Sequence, residues 1–379
     1  MTEKYKQNLE RISQYGDVYI RNQYNYPNNW INKEAVEVES YGGGTVLIPA
    51  RSITTEFNTM GKVKGFYQCD EPTYDKIEQL LPLAEWQNQY AKDKLFHVNL
   101  FPSYVDKEAL SNHSLSEYIQ HYIDTILTEV EGPKTLGLDH YPLRNKNGTN
   151  YVSDTYLSDL FTVSNAARKY NSRSDKTSEI TVGFCVQTFA SSEFRDIGSK
   201  EDISFQTNTC LAMGAKYLEY FSYLSSDDMS GMLQNGEKRQ AYYYVKEVNN
   251  ELQKWGHVLM SYDWQGAMPV SGSEERENTL AFRKVYAQKL SSFQLVEKVE
   301  SSRDALVGEF KDADGDYGYM TVNYTEPSGG KSTEVTYTFP ADIKKAVVYQ
   351  NGNSVIYPVE NGQLQLQLEA GGGAFVIPQ

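Results

Sequence analysis

Two carboxylates and a proline close a short apolar run in Gly65-Phe66-Tyr67-Gln68-Cys69-Asp70-Glu71-Pro72. A glutamate at the carboxyl end of a parallel strand stands at the rim where α/β architectures bind their ligands. Shielded there from bulk water, a carboxyl keeps its proton at neutral pH and can serve as a general acid/base. The same acids could instead serve the N-terminus of the helix that follows. Two-carboxylate chemistry needs a partner for Glu71. Glu219 is the first candidate, because it lies in an apolar strand where an unpaired carboxylate is costly, although pairing with Arg168 or Lys216 would satisfy it equally. Asp139 is the second; it could also simply orient His140. Glu193, in a loop, reads as solvated surface. Asn99, His140, Tyr141 and Gln187 could hydrogen-bond substrate hydroxyls, and Tyr67, Tyr223 or Trp264 could stack on a flat ligand, with core packing as the other reading of each ring. His97 falls mid-strand and reads as core.

Other chemistries find no footing. No His/Asp/Glu trio has metal-ligand spacing and no Gly-x-Ser-x-Gly elbow occurs, so neither a metal nor another cofactor is expected. Gly42-Gly43-Gly44 lacks the Lys-Ser/Thr ending of a phosphate loop. Asp312, Asp314 and Asp316 have no glutamate at the spacing a calcium loop needs and read as a hairpin turn. The three cysteines, Cys69, Cys185 and Cys210, cannot frame a disulfide scaffold, and Cys69 and Cys185 read as buried free thiols. A net charge of −14 without a basic block argues against nucleic acid or an anionic membrane as partner. Neither a signal peptide nor a membrane-spanning run is visible, so a soluble chain is expected, its location and oligomeric state open. Thirty tyrosines, each a flat apolar face with a hydroxyl, suit sugar binding as well as strand surfaces.

The elements that would position these residues alternate. Glu3 to Tyr15 reads as a helix, Asp17 to Arg21 as a strand and Asn22 to Asn32 as a loop. Val63 to Tyr67 is a strand, followed by a helix to about Asp93 with Ile77, Leu80, Leu81 and Ala84 on one face. Strands follow at Leu95 to Phe101, Thr135 to Leu138, Ile180 to Phe189 and Tyr217 to Leu224. Between them come helices at Ser114 to Glu129, Ser153 to Tyr170 and Phe205 to Gly214, with Gln240 to Trp255 closing the series. Such alternation predicts a parallel sheet, and polar residues at several strand ends favour a TIM-type (β/α)8 barrel over an open sheet, which would want a nucleotide fingerprint. About six strand–helix units are visible. The missing strands lie either within Asn22 to Asn58 or upstream of Met1, and the opening helix favours the latter. Beyond Pro269 the period changes to 2, with turn signals such as Asn351-Gly352 and Asn361-Gly362, which predicts an antiparallel β-sandwich. The expected domains are 1–270 (barrel), 271–290 (connector) and 291–379 (sandwich).

The segment from Gly65 to Pro72, with Val98-Asn99-Leu100-Phe101-Pro102 and Leu138-Asp139-His140-Tyr141-Pro142, resembles bacterial glycoside-hydrolase-like proteins. These belong to the clan of (β/α)8 barrels that contains the family 42 β-galactosidases. Met213 to Tyr223 looks like that clan's last barrel strand, and the region from about 290 like its appended sandwich. The resemblance implies hydrolysis of O-glycosidic bonds in an oligo- or polysaccharide. It makes Glu71 the acid/base at the end of the fourth strand and places Asn99, Asp139 with His140, and Gln187 at the ends of the fifth to seventh. The clan's nucleophile is a glutamate where this chain has Gln187. Either another carboxyl attacks, or the barrel binds carbohydrate without cleaving it.

Overall fold

The runs at 95–100, 134–138 and 180–187, each cut off by a polar or proline-containing turn, fold here as strands buried on both faces. The computed structural model describes residues 18–22, 46–50 and 63–379. The helix at Glu3 to Tyr15, the loop at Asn22 to Asn32 and the glycine triplet at 42–44 lie outside the described residues. The chain divides into two compact units, Met1–Asp139 with Ala166–Val182, and His140–Asn165 with Gly183–Gln379.

The first unit holds five parallel strands: β1 (Val18–Asn22), β2 (Val46–Ala50), β3 (Val63–Asp70), β4 (Leu95–Leu100) and β5 (Lys134–Leu138). They lie in the order β2-β1-β3-β4-β5. Phe66, Phe96, Val98, Leu100, Leu136 and Leu138 are buried. After β3 comes a 3₁₀ helix (Tyr74–Leu80) that runs into α1 (Leu81–Tyr90). Helix α2 (Leu115–Tyr122) opens with a capping box between Ser114 and Glu117 and buries Leu115, Tyr118, Ile119 and Tyr122, the apolar stripe of the sequence. It continues as a π-helical turn to Leu127. Lys134, fully buried, donates to the carbonyls of Leu127 and Val130 at the end of that turn and to the hydroxyls of Tyr170 and Thr177. Burial lowers its pKa. A cation at a helix C-terminus meets the orphan carbonyls there, so this lysine ties the helix to the start of β5.

In the second unit, a hairpin of β6 (Leu143–Lys146) and β7 (Thr149–Val152) precedes α3 (Tyr156–Asn171), which continues into the first unit. Strand β8 (Ile180–Gln187), whose first three residues belong to the first unit, pairs in parallel with β9 (Tyr217–Phe221). Helix α4 (Lys200–Ala212), a short hairpin of β10 (Leu233–Gln234) and β11 (Glu237–Lys238), and helix α5 (Gln240–Leu259) complete its α/β part.

The antiparallel part begins with β12 (Tyr262–Val270) and, after a short helix α6 (Thr279–Lys284), continues with eight strands. These are β13 (Lys298–Ser301), β14 (Ala305–Asp312), β15 (Tyr317–Asn323), β16 (Thr333–Thr338), β17 (Lys345–Gln350), β18 (Asn353–Pro358), β19 (Gln363–Leu368) and β20 (Gly373–Pro378). A six-stranded sheet, β12-β14-β15-β20-β17-β18, and a three-stranded sheet, β13-β16-β19, enclose one core that includes Val307, Tyr319, Val335, Tyr337, Val348, Leu366 and Val376. The other face of the larger sheet packs on helices: a Cβ on Gly308 would meet the Ala212 carbonyl, and Phe375 stacks with Trp255. Asn351-Gly352 and Asn361-Gly362 both take positive φ at both residues, the geometry of tight primed turns. In the turn between β14 and β15, Asp312 Oδ1 accepts from the amides of Asp314 and Asp316, so these acids form a hairpin.

The fold is thus a mixed α/β arrangement of parallel strands with separate antiparallel sheets. A closed eight-stranded barrel is not formed by the described residues. Seven parallel strands are found among them, and one of these, β2, lies in the stretch 22–58 where sequence reasoning favoured none. A barrel keeps its strands in chain order; here β2 lies outside β1 and the chain returns to place β3 on the other side of β1. The antiparallel region also starts earlier than its alternating pattern suggests, because β12 is an edge strand and tolerates Pro269. No helix among the described residues is long and apolar enough to cross a membrane.

Candidate functional site

In the first unit, alternation along the strands sorts side chains onto two faces. On β4 and β5, His97 and Asn99 share one face with Thr135, Gly137 and Asp139, while Phe96, Val98, Leu100, Leu136 and Leu138 take the other. The registers Asn99↔Gly137 and Leu100↔Leu138 fix this. A Cβ on Gly137 would lie 2.8 Å from Asn99 Oδ1 and from His97 Cε1, so glycine leaves the space that these two side chains fill.

Strand β3 joins that polar face through a bulge. Tyr67 pairs with His97, but the register shifts after it, so Cys69 pairs with Val98 and Asp70 with Asn99. The additional residue, Gln68, is buried and donates from Nε2 to Gln87 Oε1 of α1 at 2.7 Å, and Gln87 in turn donates to the Lys94 carbonyl at 2.6 Å. In an unbroken strand, residues three apart face opposite sides. The bulge brings Tyr67 and Asp70 to one side, and the Tyr67 hydroxyl donates to Asp70 Oδ1.

Glu71 follows directly. Its amide donates to the Asn99 carbonyl at 2.9 Å, one step beyond the Asp70–Asn99 pair. Its φ of 48° puts it in the left-handed region, where a side chain costs about 1–2 kcal/mol. Pro72 then ends the strand, its carbonyl accepting from Tyr118 Oη at 2.5 Å. The carboxyl is half-buried. Burial first, and the neighbouring Asp70 charge second, raise its pKa from 4.5 to about 7. Asp75, not Glu71, occupies the first turn of the following helix. Asp139 caps the end of β5, its amide donating to the Leu100 carbonyl at 3.1 Å, and its side chain is buried. Three neighbouring strands therefore end near Glu71, Asn99 and Asp139, with Asp70 in register with Asn99 on the polar face. This arrangement can hold a proton on Glu71 at neutral pH beside groups able to accept hydrogen bonds.

In the second unit, the ring nitrogen Nδ1 of His140 lies 2.8 Å from Asp159 Oδ2, and both side chains are buried. Tyr141 is buried among Phe189, Phe194 and Phe221, with its hydroxyl 3.7 Å from Cys185 Sγ. Gln187 is 0% exposed. Its amide nitrogen donates to the carbonyls of Leu143, Phe189 and Arg195, and its oxygen accepts from the Leu143 amide. That side chain is committed to holding the loop after β8. Arg195 in the same loop binds Asp202 and Glu326. Glu219 stands mid-strand in β9, opposite Cys185. The next residue, Tyr220, donates to Asn249 of α5, so alternation turns Glu219 to the other face. Lys216 is not tied to that face; it donates to the carbonyls of Leu259 and Tyr262. Tyr223 is half-buried and its carbonyl accepts from the Leu233 amide. Trp264 packs on Gly214 and donates to the Ala212 carbonyl, which takes its ring away from any ligand role. Glu193 is exposed and 3.6 Å from Arg144.

The structure also bears on residues that sequence reasoning passed over. Asp70 was read only as part of the strand-ending pair; a polar Gln68 within an apolar strand was the available signal for the bulge that reorients it. Cys69 is half-buried rather than buried, because the bulge lifts it toward the strand end, whereas Cys185 and Cys210 are buried. His97 is core, its ring nitrogen bonded to the Thr135 hydroxyl. Among the described residues, no group of three or more His, Cys, Asp or Glu is placed to hold a metal.

No known family profile and no curated protein matches the chain. Among solved structures it aligns over its full length with 92% of a GH27 β-L-arabinopyranosidase from Geobacillus stearothermophilus, at 10% identity and a TM-score of 0.46. It aligns over 98% of its length with 90% of a 4-O-α-L-rhamnosyl-β-D-glucuronidase from Fusarium oxysporum 12S, at 11% identity and a TM-score of 0.43. A GH30 endoxylanase from Clostridium papyrosolvens C71 is covered to 80% by 89% of this chain, at 12% identity and a TM-score of 0.39. These three proteins are glycoside hydrolases.

Proposed function

We propose that the protein is a glycoside hydrolase of the two-carboxylate kind, acting on O-glycosidic bonds of an oligo- or polysaccharide, with Glu71 as general acid/base. The observation that carries this is a half-buried glutamate at a parallel strand end, its pKa raised to about 7, whose amide bonds the Asn99 carbonyl of the neighbouring strand. At that pKa the carboxyl is partly protonated at neutral pH, which is what donation to a leaving glycosidic oxygen requires. The sequence resemblance to the clan containing the family 42 β-galactosidases supports the same role.

Asp139 is the favoured second carboxyl. It lies at the end of the strand two places from β3, so the two backbones are about 10 Å apart at the usual strand spacing. Side chains leaning together across that span suit the wider separation of inverting enzymes, about 6.5–9.5 Å, better than the 5–5.5 Å or so of retaining ones. Glu219, in the middle of its strand rather than at its end, is the weaker candidate. Asn99 would hydrogen-bond a sugar hydroxyl, whereas Gln187 and Tyr141 are engaged internally within the second unit. Chromogenic aryl glycosides offered to wild type, Glu71→Gln, Asp139→Asn and Glu219→Gln test the proposal. Loss of turnover on the poorer leaving groups in Glu71→Gln, loss of all turnover in Asp139→Asn, and retention in Glu219→Gln are expected. Saturable oligosaccharide binding without turnover in wild type would overturn it in favour of a binding protein.

A further inference from the structure

We infer that Asp70 and Tyr67 are positioning residues for Glu71: the bulge at Gln68 turns Asp70 onto the polar face, Tyr67 clamps its carboxylate there, and the fixed negative charge keeps a proton on Glu71. This rests on the reading of Glu71 as the general acid. The clamp is built from buried parts. Gln68 is held outward by the Gln87 amide, which is itself bonded to the Lys94 carbonyl, so the additional residue is fixed in place. Tyr67 is 3% exposed and its ring packs against His97, with centroids 5.1 Å apart, so its hydroxyl cannot swing away from Asp70. Asp70 sits level with Asn99, and the Glu71 amide bonds the Asn99 carbonyl, so the two acids follow one another at one strand end.

Two adjacent carboxyls in a partly buried site resist ionising together, and the one fixed as an anion forces the proton onto the other. Among the residues whose side chains are described, several titratable groups lie on the elements packed around them in this unit. His97 on β4 is bonded to Thr135, and Tyr118 on α2 to the Pro72 carbonyl. Asp139 ends β5, Cys69 lies within the bulged strand, and Tyr122 on α2 is fully buried. Asp70 is the nearest acid in sequence and the charge that acts on Glu71 after burial.

The test is a carbon-13 NMR titration of the glutamate carboxyls in the full chain, the Glu71 signal identified by its loss in Glu71→Gln. Wild type is compared with Asp70→Asn and Tyr67→Phe, two near-isosteric changes. The Glu71 midpoint is expected to fall by about one pH unit in Asp70→Asn. A smaller fall is expected in Tyr67→Phe, which frees Asp70 to turn away. An unmoved midpoint in Asp70→Asn overturns the inference, and an unmoved midpoint in Tyr67→Phe alone removes the clamp from it. Because the titration needs no substrate, the two readings fail separately. A lowered midpoint with no turnover on any glycoside sustains this inference and removes the hydrolase; turnover with unmoved midpoints does the reverse.

Discussion

Replacing Glu71 by glutamine exposes the energetic cost of holding this carboxyl where it is. Unfolded, the side chain releases its proton near 4.5; in the native protein, burial and Asp70 delay release to about 7. Between those two values the native state holds one more proton than the unfolded chain. A rising pH therefore drains stability through this group, beginning near 4.5 and levelling off above 7. A rise from 4.5 to about 7 is worth about 3 kcal/mol at roughly 1.4 kcal/mol per unit. Below 4.5 the group is neutral in both states and contributes nothing of this kind. Glutamine has the same shape and no proton to lose, and it keeps the same left-handed backbone, so the strain there cancels in the comparison. The stability of Glu71→Gln minus that of wild type should grow by about 3 kcal/mol as pH is raised through this window. Urea unfolding followed by tryptophan fluorescence, repeated from below 4.5 to above 7, measures it. Parallel stability curves for the two proteins, or a variant that loses ground as pH rises, would refute the claim that the fold forces a proton onto Glu71.

Three further substitutions probe the surroundings. At the left-handed φ of Glu71, Glu71→Gly should be more stable than Glu71→Ala by about 1 kcal/mol, inverting the usual order; equal unfolding midpoints would count against the strain. Gly137→Ala places a methyl 2.8 Å from Asn99 Oδ1 and His97 Cε1. It should cost about 1–3 kcal/mol in denaturant unfolding and cut turnover by moving Asn99, and wild-type behaviour would show the face to be more yielding than described. Gln187→Glu, which would put a glutamate where the resembled clan carries its nucleophile, aims a carboxylate at the carbonyls of Leu143, Phe189 and Arg195. It should lower stability by about 2–4 kcal/mol without raising activity, and a gain in turnover would contradict the structural role given to this amide.

Much of the fold was legible because periodicity and punctuation were strong. The apolar stripe Leu115, Tyr118, Ile119 and Tyr122 gave α2, whose Ser114–Glu117 capping box went unread, and the Asn-Gly pairs at 351 and 361 gave two hairpins. The same dipeptide at 147 and 235 marks the hairpins β6–β7 and β10–β11, which polar flanks concealed. Strand order was not legible, since which strand flanks β1 depends on long-range pairing that local pattern does not encode. At the site, Glu71 announced itself by ending a strand. Its helper Asp70 did not, because a period of two assigns Tyr67 and Asp70 to opposite faces until the bulge at Gln68 is seen. Side-chain type likewise could not show which strand-end amides are committed to the backbone. Asn99 and Gln187 look alike in sequence, and the hydrogen bonds that commit Gln187 to the backbone come from segments up to 44 residues away.

The most direct test of Glu71 as general acid varies the leaving group. Aryl glycosides spanning good and poor leaving groups would be compared in wild type and Glu71→Gln. A dinitrophenolate departs without a proton, whereas an alkoxide needs one delivered in the transition state. If Glu71 is the general acid, Glu71→Gln keeps most of its turnover on the dinitrophenyl substrate and loses about 10²–10⁴-fold on the poorest leaving groups. An equal loss across the whole series, or none, would contradict it.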